Sequence, residues 1–117
     1  FRSQRVSDST EVSGYQADVG EAWGRPVWGG IYDESRRNQM LIEGPADSLP
    51  GWVKQKDWNE LRIVAKGRKV QTFLNGHPVV EYVEKDENIP QEGRFGLQIH
   101  AGPAGEVRYR NLRIQEL

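Results

Sequence analysis

The stretch SGYQADVG, residues 13–20, decides the fold. Strand side chains alternate, so an extended chain here puts Tyr15, Ala17 and Val19 on one side and Gln16 and Asp18 on the other. The first set suits a core. The second places an amide beside a carboxylate on a face that stays wet or holds a polar ligand. A partner stretch, WGGIYDESRRN at residues 28–38, adds Tyr32, two acids and two arginines. No other part of the chain gathers so many polar groups.

Outward from these stretches the pattern is that of an all-β chain. Residues 1–5 read as a strand remnant, 11–19 as the first full strand, and 20–26 as a loop. A strand is predicted over 28–32, running through Gly29-Gly30, where missing side chains allow close backbone approach. A short strand is predicted over 38–43. Residues 44–55 read as a long loop with one helical turn near 46–49. Leu61, Ile63 and Ala65 alternate with polar neighbours. Residues 66–69 turn, and Asn75-Gly76 is a strong hairpin signal because both residues tolerate positive φ. Phe95, Leu97, Ile99 and Ala101 are expected to face inward on a further strand, with Gln98 and His100 facing out. A last strand is expected over 107–114, with a β-bulge near Asn111 bringing both halves to the core. Many short strands joined by turns argue for a single domain of two antiparallel sheets packed face to face.

Composition narrows the function. The net charge of −1 gives no general pull towards nucleic acid or anionic lipid. With no cysteine, disulfides and thiolate metal sites are excluded. No stretch is long and apolar enough to insert in a bilayer. Phosphate loops, nucleophile elbows and dinucleotide fingerprints are absent, and no cofactor is called for.

The motifs GYQADVG, WGGIYDESRRN, WNELRIVAKGRKVQTFLNG and GRFGLQIHAG with VRYRNLRIQEL resemble, in this order, the 3-keto-disaccharide hydrolase domain family. That resemblance implies a concanavalin A-like jelly roll and a periplasmic or extracellular setting. Phe1-Arg2-Ser3 resembles the end of an early strand of that family, whose domain normally begins further upstream. Residues 1–117 would then be the C-terminal two-thirds of it. An open sheet edge is therefore expected to be covered by an unseen segment, another chain or a second copy.

The implied activity is cleavage of glycosides oxidised at carbon 3. A ketone there acidifies the carbon-2 hydrogen, a base removes it, and the leaving group departs from carbon 1. His100 or Asp18 is the base candidate, and Tyr32 or Glu34 the proton donor. Arg2 or Arg36 is the candidate enolate stabiliser. Gln16, Gln98, Tyr32 and Trp28 are candidate sugar contacts, with Trp23 a further ring. The strand-borne Glu-x-Asp-x-x-Glu of related glucanases is absent, and Asp33 and Glu34 point to opposite faces. An ion pair between that acidic pair and Arg36 or Arg37 is the plainer expectation for the loop. His77 reads as a surface residue. His100 with Asp18 lacks metal-ligand spacing. The alternative to an enzyme is a non-catalytic glycan-binding module, or a structural subunit of a larger assembly.

Overall fold

The computed structural model describes residues 1–117 and is nearly all antiparallel β. One sheet has the order β1-β2-β5-β6, formed by Gln4–Arg5, Val12–Ala17, Ile31–Glu34 and Met40–Ile42. The other is a meander of β7 (Leu61–Lys66), β8 (Lys69–Leu74) and β9 (His77–Val83). Between β2 and β5 a small hairpin pairs β3 (Glu21–Ala22) with β4 (Arg25–Pro26). The only helix is α1, Leu49–Trp52.

The sheets face each other across one apolar layer. Tyr15 and Ile31 come from the first sheet; Val70, Leu74, Val79 and Val80 come from the second, with Leu49 and Ile89 closing the rim. Alternation in β8 buries Val70, Thr72 and Leu74 and leaves Lys69, Gln71 and Phe73 less covered. The expected turn at Asn75-Gly76 is present, with φ of +49° and +84°, and it joins β8 to β9. At Gly29 the backbone φ is +75° and a Cβ would press on the Val79 side chain at 3.1 Å, so a side chain there would be strained and crowded. Close approach at Gly29 thus matches the sequence reading, but the strand starts at Ile31, after the glycine turn.

Two polar ties cross the layer. Thr72, fully buried, donates its hydroxyl to the Gly29 carbonyl at 2.6 Å. Glu84, just past β9, accepts from Tyr15 Oη at 2.7 Å and from Arg37 Nη2 at 2.6 Å. Arg37 also bonds Asp33 through Nε. Arg36 Nε donates to Asp33 Oδ1 at 2.8 Å, while its Nη2 lies close to the same oxygen without a directed hydrogen bond. The register Tyr15↔Asp33 explains why this acid is buried: it shares the core face with Tyr15. The expected ion pair of the 33–37 loop therefore forms twice over, as an internal brace.

The sequence reading fails in the C-terminal quarter. Residues 95–101 and 107–114 form no strand, and the apolar side chains expected inside are exposed: Phe95 by 66%, Leu97 by 57%, Leu112 by 66%. The reason is a missing partner, not a wrong pattern. The ribbon begins on a ladder, because Ser3 and Arg94 exchange both backbone bonds. Continuing that antiparallel register would set Phe95 against Arg2 and Gly96 against Phe1, but the pairing stops at the Ser3–Arg94 bridge and no ladder runs along 95–101. Arg2 has also left the extended region, with φ of +52°. The bulge expected near Asn111 has no ladder to interrupt; Asn111 takes a left-handed φ of +54° instead.

Burial alone would raise the Glu84 carboxyl, but hydrogen bonds from Arg37, Tyr15 and the Asp86 amide outweigh it and hold it at about 2, below its ordinary 4.5. Its contribution to stability is therefore complete above pH 4.5 and lost as pH falls towards 2. Arg37→Met, which leaves the buried Glu84 without its cationic partner and takes one of two from Asp33, should cost about 3–5 kcal/mol at neutral pH. Urea unfolding should show its midpoint approaching the wild type's as pH drops; parallel midpoints from pH 7 to 2 would refute the brace. Thr72→Val should cost about 1–3 kcal/mol, because the Gly29 carbonyl loses its donor. Unchanged thermal unfolding of that variant would show that water replaces the bond.

Candidate functional site

The outward face of the first sheet carries the polar residues that the alternation predicts. Tyr32 stands directly across from Gln16, and Glu34 directly across from Gly14, so Gln16, Tyr32 and Glu34 share one face of β2 and β5. Asp18 follows β2 on the same parity. Its backbone stays in register, donating to the Gly30 carbonyl at 2.9 Å and accepting from the Gly29 amide at 2.9 Å. The Gln16 amide donates to Asp18 Oδ1.

Asp18 is only 8% exposed although it sits at the edge of this face. Burial raises its carboxyl above the ordinary carboxylate range. The Gln16 hydrogen bond opposes that rise, and the negative charges of Glu34 and Glu43 add to it. A buried carboxyl on a polar surface, with a raised pKa and a fixed amide partner, is equipped to take up and return a proton. Glu34 is half-buried and accepts from the Ser35 hydroxyl at 3.3 Å. Tyr32 is half-buried.

The other candidates lie elsewhere. Arg2 donates through Nη1 to the Gly67 carbonyl at 2.6 Å and to Gln91 Oε1 at 2.7 Å. Arg36 is committed to Asp33 and lies over the Tyr15 ring, 4.7 Å from its centroid. Gln98 and His100 are exposed on the unpaired ribbon; the Gln98 carbonyl accepts from Tyr109 Oη, and His100 Nδ1 lies 2.6 Å from the Ala101 carbonyl. No ladder joins them to β2, so the sheet-borne patch contains Gln16 and Asp18 without these two. Trp28 packs against the core and lines a cleft of about 370 Å³ with Gly20, Pro50, Val53, Lys54 and Asn59. His77 stacks flat on Trp52, 4.8 Å between centroids. No three His, Asp or Glu side chains come together to hold a metal ion.

Arg25 and Glu43 escaped the sequence reading. They form a two-point ion pair, Nε–Oε2 at 2.9 Å and Nη2–Oε1 at 2.5 Å, and Glu43 reaches Asp18 electrostatically. The available signal was the turn pair Trp23-Gly24, which makes a hairpin of residues 21–26 and brings Arg25 back towards β6. An aromatic at the tip hid it.

No helix is long and apolar enough to cross a membrane. Comparison with curated proteins finds none that matches this chain. The family described as 3-keto-alpha-glucoside-1,2-lyase-like domain matches residues 1–115. Matched along nearly its whole length, this chain belongs to the 3-keto-alpha-glucoside-1,2-lyase-like domain family.

Proposed function

We propose that the domain cleaves the glycosidic bond of 3-keto-glycosides by elimination, with Asp18 as the base. The observation that carries the reading is the buried Asp18 carboxyl, raised in pKa and oriented by Gln16 on the face shared with Tyr32 and Glu34. The ionised carboxylate removes the proton from carbon 2, and the electron pair passes to the carbon-3 carbonyl oxygen. Tyr32 donates a hydrogen bond to that developing enolate. As the enolate collapses, the bond from carbon 1 to the glycosidic oxygen breaks, and the proton that Asp18 took up passes to the departing oxygen. Water then adds across carbons 1 and 2: the Asp18 carboxylate takes a proton from water and delivers it to carbon 2, while the hydroxyl joins carbon 1. A periplasmic or extracellular place suits a domain acting on such sugars.

Asp18→Asn should lower kcat/KM for a 3-keto-glucoside about 10²–10⁴-fold, the usual worth of a positioned base. The raised carboxyl also sets the sign of the pH profile: activity should climb with pH through a value above the ordinary carboxylate range. His100→Ala should keep both the rate and that limb. Full turnover by Asp18→Asn, or loss of the limb in His100→Ala, would move the base away from Asp18.

A second reading is favoured by the ribbon at 95–117. Its uncovered Phe95, Leu97, Ile99, Leu112 and Ile114 suit a structural or glycan-binding subunit whose ribbon is covered by another chain, another segment or a second copy. Sedimentation of residues 1–117 should then show association. A fully stable monomer at all concentrations would end this reading.

A further inference from the structure

The hairpin 21–26 is a direct outgrowth of the candidate site. Asp18 pairs with Gly29 and Gly30, Val27 donates to the Gly20 carbonyl, and the next two pairs are Glu21↔Pro26 and Ala22↔Arg25. Trp23 and Gly24 form the tip, with φ of +51° and +73°. A two-residue turn with two positive φ values favours asparagine, aspartate or glycine at its first position. A bulky aromatic there is held against its backbone preference, and such strain is concentrated at functional positions.

The side chain gains no burial in return, because Trp23 is 64% exposed. It is nevertheless held in place. The Arg25 guanidinium lies 5.2 Å from the indole centroid, and Glu43 fixes that guanidinium at two points. One face of the indole is thus backed by a clamped cation while the ring as a whole stays open to solvent. The ladder from Asp18 runs through Gly20 and Val27 into the hairpin, so tip and clamp sit at the end of the ribbon that carries the carboxyl. On its other flank the hairpin walls the Trp28 cleft through Glu21 and Pro26.

We propose that Trp23 is a saccharide platform, stacking on the apolar face of the pyranose on the leaving-group side of the bond cleaved at Asp18. The assignment of side rests on the reading of Asp18 as base. A flat, rigid aromatic costs little entropy to order on a ligand, and its polarised face suits the C–H-rich face of a sugar ring. Backing the indole with a fixed guanidinium means that the ligand meets a preformed surface.

Trp23→Gly separates this role from a structural one, because glycine suits the turn better. The probes are 3-keto-trehalose and methyl 3-keto-glucoside, titrated calorimetrically, with Trp58→Ala as a control at another partly exposed tryptophan. The expected result is at least a tenfold loss of affinity for the disaccharide in Trp23→Gly, unchanged affinity for the methyl glycoside, and a Tm equal to or above that of the wild type. Trp58→Ala should bind both probes normally. Equal disaccharide affinity, an equal loss for both probes, a fallen Tm, or a wild type that binds neither sugar would overturn the platform. Turnover of the methyl glycoside by the wild type reports separately on the base at Asp18, since that probe lacks the second sugar.

Discussion

Arg37 reaches both carboxylates that the core encloses. Asp33 belongs to the first sheet and Glu84 follows the last strand of the second, so one guanidinium holds the two layers in a fixed relation. Glu84 has no other cationic partner, and an uncompensated charge in this layer costs several kcal/mol; Asp33 is held by Arg36 as well as Arg37. Tyr15 completes the arrangement by donating to Glu84, and burial first, then the nearby carboxylate, pushes its phenol up to about 12, so it stays a donor at neutral pH. Apolar packing gives this interface its area; the charged brace gives it one register.

That register decides what the opposite face can do. With Tyr15 and Asp33 turned inward, Gln16, Tyr32 and Glu34 have to turn outward, since a one-residue slip would exchange the two sets. The candidate chemistry therefore depends on a buried ion pair that it never touches. The same pairing carries Asp18 to the edge of the face, where backbone bonds to the glycine turn hold it and its side chain is buried. A carboxyl further out would be solvated and ordinary; one further in would be closed to substrate.

Much of this was legible in the sequence. Period-two alternation placed Tyr15 inside and Gln16 outside, and Asn75-Gly76 announced its hairpin. The close approach at Gly29 followed from the absent side chain. Three things were not legible. Burial of Asp33 ran against its charge, and only the spacing to Arg36 and Arg37, three and four residues on, hinted that it had partners. Trp23-Gly24 was hidden because an aromatic in a left-handed turn contradicts local preference. The final ribbon showed sound strand alternation, but a strand also needs a free edge to pair with, and alternation carries no information about that. His100 and Gln98 left the sheet-borne patch for this reason alone.

The two cross-layer ties also bear on how the chain reaches this state. The meander β7-β8-β9 is joined by tight turns, so its pairings close short loops. Thr72 meets Gly29 across 43 positions of chain, and Tyr15 meets Glu84 across 69. Loop-closure entropy rises with such separations, and contacts of this kind slow the search for the native topology. By sequence separation alone, the meander's contacts are the cheaper ones to close and those joining it to the front layer the costlier.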